Sequence, residues 1–422
     1  MRTEYTGPIR LPATGAWRID DRGDRNIGGM IPSPHAGGPD TRATYDVAVA
    51  GGGVIGLASA WTLARDGHRV VVVDPEPGHG AVWVAAGMLA PANEAHFGEE
   101  PLVRLLVAAG QRWPEFARAL EEAADATIGF LPSETVVVAC DASDRTALDQ
   151  LLGFRQSMGL GARRLSASEC RRAVPALSPA IRGGAEVPDE HQVDNRLLVG
   201  ALIAACRNAG VEFSSARVEG VELDRSGAAR GVVTDDATTL VADTVVAAMG
   251  WQTSELRGLP VGALPELRPV KGHILRLAGS APLLNRTVRG MVHGRSIYLV
   301  PRLDHSVVVG ATVEEVGADL RVQAGAVYSL LEDARALVPG IDELELVESA
   351  VGLRPGSTDN APHVGWTDVP GLAIATGHFR NGILMAPITA EAVGALVNGS
   401  EPPAEFAPFG VRQPTGSAVP SR

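Results

Sequence analysis

The chain has 422 residues, of which 45% are hydrophobic and 20% charged, a composition typical of a globular protein with a large buried core. Its formal net charge of −12 argues against a general affinity for nucleic acid or for an anionic membrane surface. The three cysteines, Cys140, Cys170 and Cys206, show neither metal-binding spacing nor a disulfide framework. We therefore expect no metal site and a reducing, cytoplasmic location.

Both ends of the chain lack hydrophobic periodicity. Residues 1–44 mix Pro, Gly, Arg and Asp, and we expect a disordered leader there, while the Pro-rich residues 401–422 are expected to form a flexible tail. The uncharged run over residues 47–64 is long enough to suggest a membrane span, but it contains the glycines at 51–53 and 56. A continuous helix would be poor there, so we expect no membrane span.

The first ordered elements form a βαβ pattern. Short apolar runs predict buried strands over residues 46–50 and 69–73, and the residues between them predict a helix over Val54–Arg65, ended by Asp66-Gly67. Two strands joined by a helical crossover run parallel, which indicates an α/β domain.

The rest of the chain alternates between helical and strand patterns. Residues 217–247 are rich in short strands and predict a meander. The other helices are predicted over residues 102–123, 144–158, 195–208, 322–338 and 386–397, with Pro387 in the first turn of the last one. The other strands are predicted over residues 135–139, 271–277, 296–301, 306–310, 345–353 and 371–377.

Gly51, Gly53 and Gly56 form a G-x-G-x-x-G motif between the first strand and its helix. In dinucleotide-binding folds these glycines permit the tight turn, the approach of the backbone to a pyrophosphate, and close helix–strand packing. Asp74 ends the second strand, where a carboxylate would accept hydrogen bonds from the ribose. The motif predicts a dinucleotide site, with a purely structural turn as the alternative, and it does not by itself separate FAD from NAD.

Later segments resemble the D-amino-acid oxidase superfamily of FAD-dependent oxidoreductases, and within it the glycine oxidases of thiamine biosynthesis. The resemblance extends over about residues 45–400. It is carried by "WVAAGMLAP" (83–91), "GLRPGSTDNAPHVG" (352–365) and "ATGHFRNGILMAP" (375–387), together with "PVKGHILRL" and "YLVPRLDHSVVVGAT".

This resemblance implies an α/β fold with two domains. A discontinuous Rossmann-type FAD-binding domain is expected over residues 45–95, 185–265 and 350–400. An α+β substrate-binding domain with an antiparallel sheet is expected over residues 96–184 and 266–349.

The resemblance also implies a flavin site built from several segments. Its members are Gly51, Gly53, Val54, Ile55, Gly56, Asp74, Ala86, Gly87, Met88, Val218, Gly250, Trp251, Gly377, His378, Arg380, Asn381, Gly382 and Ile383. The small residues near Ala86 would lie against the flavin ring, and the helix after Gly382 would direct its N-terminus at the ring edge that becomes negative on reduction. A plain buried loop and a docking helix are the alternatives. Relatives with covalent FAD attach it through a cysteine in the C-terminal half. No cysteine follows Cys206 in this sequence, so the FAD is expected to be non-covalent.

For the substrate, the resemblance implies that Arg354 binds the carboxylate, with Tyr298 as a hydroxyl donor and Arg380 as a second positive charge. Arg354 follows a predicted strand and precedes an expected Pro-Gly turn, and its apolar neighbourhood favours a fixed partner for the guanidinium. Each residue also has a structural alternative: a surface charge for Arg354, a packed strand aromatic for Tyr298, and a link to the flavin loop for Arg380. No general base is needed if the amine binds neutral, so His273 and His378 are given no catalytic role.

The implied reaction is the oxidation of glycine by FAD to an imine, which hydrolyses to glyoxylate and ammonia while oxygen becomes hydrogen peroxide. In thiamine biosynthesis the imine feeds thiazole formation. Oxidation of a D-amino acid or of sarcosine with another electron acceptor is the alternative, and a flavin-binding protein without activity is a third. Val82, Trp83, Ser296 and Val313 depart from the family pattern and leave the choice of small substrate open. A homo-oligomer is also left open.

Overall fold

The structure is a computed structural model that describes residues 45–411. Its N-terminal half contains β1 (Tyr45–Ala50), α1 (Val54–Arg65), β2 (Val70–Val73), α2 (Ala81–Val84), β3 (Met88–Leu89), α3 (Glu100–Ala124), β4 (Thr135–Ala139), α4 (Ala142–Ser157), β5 (Arg163–Leu165), α5 (Ala167–Ala173), β6 (Gly184–Val187), β7 (His191–Gln192) and α6 (Asn195–Asn208). There follow β8 (Glu212–Ser214), β9 (Val218–Leu223), β10 (Ala229–Thr234), β11 (Thr239–Ala247), β12 (Leu267–Ala278), β13 (Thr287–Val292), β14 (Arg295–Pro301), β15 (Val307–Gly310), α7 (Ala324–Leu337), β16 (Glu345–Ser357), β17 (His363–Trp366), β18 (Leu372–Thr376) and α8 (Gly382–Val397). Short 3₁₀ helices occupy Gly250–Glu255, Pro339–Glu343 and Ala404–Phe409.

The first sheet has the strand order β17-β18-β11-β1-β2-β8, and the meander β9–β10 is attached to β11. Strand β1 is central and runs parallel to both β2 and β11. Val47 and Val49 face α1, α3, α6 and α8, whereas Ala48 and Ala50 face the meander. Burial on both faces explains the uninterrupted apolar runs in these strands, which are typical of parallel sheets.

The second sheet has the order β16-β12-β15-β14-β13-β4-β6-β5 and is antiparallel except where β13 runs beside β4. One face, with Leu275 and Val309, packs against α7. The other face, with Ile274, Tyr298 and Val308, packs against the segment that contains Ala86. Strand alternation thus separates a face that packs against α7 from a face that packs against the segment with Ala86.

This architecture confirms the predicted α/β fold with an additional antiparallel sheet, and Val54–Arg65 and Asn195–Asn208 are helices as predicted. Strands β6 and β13 were not predicted. Strand β6 and the last residues of β16 belong to the second sheet, so they fall across the boundaries predicted at residues 185 and 350. The domain division otherwise stays a prediction.

Two local predictions near the C-terminus are wrong. Helix α8 begins at Gly382 rather than at residue 386, so Pro387 lies inside it, where only the bond to the carbonyl of Ile383 is lost. Strand β16 continues through Arg354, Pro355 and Gly356, where a turn was expected. Proline is tolerated there because β16 is an edge strand that pairs only with β12.

Part of the C-terminal segment predicted to be flexible is folded against the core. Residues 404–409 lie in the predicted flexible tail, yet they form a 3₁₀ helix with Phe406 and Phe409 buried, so the prediction is wrong for these residues. Residues 1–44, the predicted leader, and residues 412–422 lie outside the described residues. No helix within residues 45–411 has the length and apolar character needed to cross a bilayer.

Candidate flavin and substrate site

The turn after β1 is possible only with glycine at two of its three motif positions. Gly51 has a φ of +101°, and a Cβ there would lie 2.6 Å from the carbonyl oxygen of Ala248. A Cβ at Gly56 would overlap the carbonyl oxygen of Gly51. Gly53 differs, because a Cβ there would meet no atom within 4 Å. Two glycines therefore close the turn, and the third leaves open space above it.

That open space adjoins the N-terminus of α1. Gly53 is the N-cap and offers no side-chain cap, and the first turn, with Val54 and Ile55, contains no acidic residue. Unpaired N–H groups and the positive end of the helix dipole therefore face the space above Gly53. A diphosphate group fits this arrangement of donors.

Asp74 lies beside this turn at the end of β2. Its Oδ2 accepts a hydrogen bond from the amide of Gly52 at 2.7 Å, and its Oδ1 accepts one from the amide of Glu76 at 2.8 Å. Each oxygen keeps a further lone pair for a ribose hydroxyl. Val218 is buried in the same core cluster as Val71 and Val73 of β2. Contacts of Asp74 and Val218 with FAD stay predictions.

The end of β11 connects the glycine turn to the second sheet. Gly250, with a φ of +60°, accepts a hydrogen bond from the Thr376 hydroxyl at 2.8 Å, and Trp251 beside it is half-buried. A Cβ at Gly250 would lie 3.9 Å from Pro355, the residue after Arg354. The structure thus brings the N-terminal turn and the arginine-bearing strand into one neighbourhood through the end of β11.

The segment from Val84 to Met88 packs against the face of the second sheet that is opposite α7. Ala86 and Met88 pack with Tyr298, and the carbonyl of Ala86 accepts a hydrogen bond from Arg302 at 2.7 Å. Gly87 has a φ of +67° and its carbonyl accepts a hydrogen bond from Val193 at 2.9 Å. This placement agrees with a flavin-facing role for Ala86, Gly87 and Met88, which stays a prediction.

The loop before α8 runs back against β16. It begins at Gly377, with a φ of +75°, and its Phe379 amide donates to the carbonyl of Pro355 at 3.0 Å. Asn381 is the N-cap of α8 without a side-chain cap, so the amides of Gly382 and Ile383 begin a helix with a free N-terminus. An electron-rich ring edge could accept hydrogen bonds from these amides.

His378 in this loop is buried, and its Nε2 lies 3.1 Å from the Thr389 hydroxyl. Burial, with a smaller contribution from His363, lowers the pKa of His378 to about 3. The ring is therefore neutral under ordinary conditions and acts as a hydrogen-bonding partner within the fold.

Two glycines make room for the side chains predicted to bind substrate. A Cβ at Gly310 would overlap the Tyr298 hydroxyl, and a Cβ at Gly272 would overlap the Arg354 guanidinium. Arg354 donates from Nη1 to the carbonyls of Lys271 at 3.3 Å and Thr312 at 3.1 Å. Within residues 45–411 no carboxylate pairs with Arg354, and the Tyr298 hydroxyl has no hydrogen-bond partner. Both groups are therefore available to an anion.

The surroundings of Tyr298 are electropositive. Burial raises the pKa of the Tyr298 hydroxyl, although Arg354, Arg380 and Arg289 act in the opposite direction. The phenol is therefore protonated and able to donate a hydrogen bond. A protonated phenol beside several guanidinium groups has the chemistry to bind a small carboxylate. Binding of the substrate by Tyr298, Arg354 and Arg380 stays a prediction.

The chain matches the model of the DAO family, described as FAD dependent oxidoreductase, over residues 46–396. It belongs to this family. The predicted FAD cofactor and the predicted enzyme class, an FAD-dependent oxidoreductase, are thereby confirmed.

Relatives within the DAO family extend over most of this chain. Glycine oxidase from Geobacillus kaustophilus is 34% identical over 376 residues, which are 88% of this chain and 98% of that protein. Its crystal structure matches with a TM-score of 0.82 at 33% identity and covers 88% of this chain and all of that one (100%). The bifunctional protein ThiO/ThiG from Nostoc is 32% identical, with 84% of this chain matching 53% of that protein. Hydrogen cyanide synthase subunit HcnC from Pseudomonas aeruginosa is 30% identical over 87% of this chain and 95% of that protein.

Two charged residues near the DAO-family site were not predicted. Glu94 is buried six residues after Met88 and forms ion pairs with Arg289 at 2.9 Å and with Arg380 at 3.3 Å. The sequence offered one signal for Glu94, a carboxylate that closely follows an apolar run, because a buried acidic residue needs a charged partner. Arg289 offered no comparable signal because its strand, β13, was itself missed.

Proposed function

We propose that this protein oxidises glycine with FAD and oxygen. Glycine, water and oxygen would give glyoxylate, ammonia and hydrogen peroxide, through an imine that is hydrolysed after it forms. The observation that carries the proposal is that Arg354 has no carboxylate partner within residues 45–411 and lies near the Tyr298 hydroxyl, where Gly272 and Gly310 leave room for the two side chains. The chain's membership of the DAO family and its likeness to glycine oxidase support the same reaction.

Arg354 and Tyr298 bind the substrate carboxylate in this proposal. A charge-assisted hydrogen bond contributes roughly 1.5–3 kcal/mol, which makes a carboxylate obligatory in the substrate. With that end fixed, the α-carbon has few orientations left, and catalysis is largely positioning. FAD, when bound, accepts the hydride.

No side chain is needed as a general base. His378 is held neutral by burial and is paired with Thr389, while His273 is paired with Thr312 and Glu314. We therefore propose that the amine binds without its extra proton, and that the free N-terminus of α8 stabilises negative charge at the ring edge.

The biological setting belongs to the proposal as well. The relative from Nostoc carries ThiO and ThiG in one chain, which supports a role in thiazole formation for thiamine biosynthesis. We further propose a cytoplasmic location and non-covalent FAD.

A second candidate is a dehydrogenase that passes electrons to an acceptor other than oxygen, with a D-amino acid or sarcosine as an alternative substrate. We keep this candidate because a relative that is not named an oxidase, the hydrogen cyanide synthase subunit, matches 87% of this chain. Single methyl groups change binding by only about 1–3 kcal/mol, so the small substrates must be ranked by experiment.

Anaerobic mixing of the purified yellow protein with glycine, sarcosine, D-alanine and D-proline tests the proposal. Glycine should bleach the visible flavin absorbance fastest, and readmitted oxygen should restore the colour with one hydrogen peroxide per turnover. Bleaching without peroxide would favour the dehydrogenase. A protein that takes up FAD but is bleached by none of these amino acids would refute the proposed function.

A further inference from the structure

A buried carboxylate joins two arginines at the edge of the proposed substrate pocket. The Glu94 side chain is 10% exposed, and each of its oxygens faces a different guanidinium. Oε1 accepts a hydrogen bond from Arg289 Nη1 at 2.9 Å, and Oε2 lies 3.3 Å from Arg380 Nε. The three charges join β13, the segment after β3 and the loop before α8.

This ion triad is adjacent to the residues proposed to bind substrate. Arg289 stands directly opposite Tyr298 in the antiparallel register of β13 and β14, so both side chains lie on the same face of the sheet. Arg354 and Arg380 both act electrostatically on Tyr298, and Arg380 also acts on Arg354. Three positive charges thus surround one phenol, and Glu94 is the carboxylate paired with two of them.

Glu94 cannot easily move, because its neighbour is clamped as well. The backbone amide of Asn93 donates to Glu190 Oε1 at 2.6 Å, and its side-chain amide donates to Glu190 Oε2. The carbonyl of Asn93 accepts a hydrogen bond from the buried Arg155 at 3.2 Å. The carboxylate of Glu94 is therefore a fixed point that the pocket can use.

Arg380 depends on that fixed point. Its side chain is 27% exposed, and within residues 45–411 its only carboxylate partner is Glu94, reached through Nε. Its terminal nitrogens make no hydrogen bond with the described residues, so they are available to a ligand. Without Glu94, repulsion from Arg354 and the nearby solvent would favour an outward rotamer of Arg380.

Glu94 keeps its charge throughout the working pH range. Burial alone would raise its pKa, but Arg380 and Arg289 outweigh burial and lower the pKa of Glu94 to about 2. A permanently charged group can hold an arginine at any pH at which the enzyme is folded.

We propose that Glu94, anchored by Arg289, is a positioning residue that holds the Arg380 guanidinium beside Arg354 and Tyr298, where it adds a second positive charge for the substrate carboxylate. This inference rests on the proposed function, because it assigns Glu94 a role in binding that same substrate. Glu94 contacts Arg380 and not the substrate.

The test measures glycine binding by anaerobic flavin reduction, which separates the dissociation constant from the limiting rate of reduction. In Glu94→Gln the shape is kept and the charge is lost, so we expect glycine to bind about tenfold more weakly, with little change in the limiting rate or FAD content. Glu94→Asp should recover part of the affinity. Glu391→Gln, which breaks the exposed ion pair with Arg112, serves as the matched control and should bind glycine like the wild type.

A double-mutant cycle tests whether Glu94 acts through Arg380. Arg380→Met should weaken glycine binding by at least as much as Glu94→Gln, and adding Glu94→Gln to Arg380→Met should cause no further loss. A full additional loss would overturn the proposal. Unchanged affinity in Glu94→Gln would also overturn it. Tighter glycine binding would overturn it as well, because Glu94 would then only neutralise the charge of Arg380. If Glu94→Gln does not fold, wild-type affinity in Arg380→Met alone would overturn it.

Failure of the proposed function is distinguishable from failure of this inference. If no amino acid bleaches the wild-type flavin, glycolate can be titrated instead, because it carries a carboxylate and its binding near the ring would perturb the visible spectrum. Weaker glycolate binding in Glu94→Gln would support the positioning role without any turnover. Equal glycolate binding in the two proteins would overturn it.

Discussion

The turn after β1 and the proposed substrate pocket illustrate two ways of building a binding site. The turn is made of backbone, and its parts lie close together in the sequence, from Gly51 to Asp74. The pocket is made of side chains from distant segments, with Tyr298 on β14, Arg354 on β16 and Arg380 in the loop before α8. The first site depends on the absence of side chains and the second on their charges.

The two sites also differ in how their donors are kept free. At the turn, Gly53 leaves space in front of the unpaired amides of α1. In the pocket, glycine clears space for a side chain instead, as Gly272 does for the Arg354 guanidinium. Charge must be balanced in the pocket, and Glu94 does this for Arg380.

The largest effect is expected from a side chain at Gly56, which would prevent the turn from forming. In Gly56→Val the new side chain would collide with the Gly51 carbonyl, a backbone atom that cannot rotate away. We expect the variant to be recovered without FAD or not to fold. Visible absorbance per mole of protein and far-ultraviolet circular dichroism would measure the two outcomes.

Gly53→Ala is the matched variant, because its φ of −73° suits alanine and its Cβ has open space. It should fold normally but bind FAD more weakly, since a diphosphate would occupy that space. Wild-type FAD binding in Gly56→Val would show that the turn does not require glycine at position 56.

Removing the carboxylate clamp should have the next largest effect, confined to the pocket. Arg354→Met keeps much of the side-chain volume but loses the charge, and we expect kcat/KM for glycine to fall about 10- to 150-fold, corresponding to about 1.5–3 kcal/mol. FAD should stay bound, because the turn is untouched. Steady-state kinetics with FAD quantification would measure both quantities.

Arg335→Met is the control for this variant, since Arg335 forms an exposed ion pair with Asp342 on the opposite face of the sheet. It should leave kcat/KM unchanged. Equal activity of Arg354→Met and the wild type would show that Arg354 does not bind the substrate carboxylate.

The contrast explains what could be predicted from the sequence. The βαβ turn is encoded within thirty residues by glycine spacing and continuous apolar strands, so residue patterns alone located its strands and helix within one residue at each end. The pocket residues Tyr298, Arg354 and Arg380 were inferred from family resemblance, because no local pattern shows that three distant segments meet.

The missed features share a physical cause. Strand β13 contains Arg289 and Gly290 in its centre, which interrupt the apolar alternation, and its arginine is buried only because Glu94 pairs with it. Arg354 was expected before a Pro-Gly turn because Pro and Gly usually end a strand, whereas an edge strand tolerates both. Such pairings and edge positions depend on tertiary contacts that single-sequence patterns do not contain.

His378 lies in the loop where the two regions meet, and the smallest predicted effect asks whether packing or charge shapes that loop. Its pKa falls from an ordinary 6.5 to about 3 on folding, mainly through burial, so the unfolded chain binds a proton that the folded protein does not between these values. The free energy of unfolding should therefore be fully maintained above pH 6.5 and fall as the pH is lowered toward 3, by at most about 1.4 kcal/mol per pH unit. His378→Asn keeps a polar group near Thr389 but does not titrate, so it should lose about 1–2 kcal/mol less than the wild type between about pH 7 and about pH 5 in urea unfolding. An identical pH dependence in both proteins would mean that His378 binds its proton equally in the folded and unfolded states, so that burial does not hold the ring neutral.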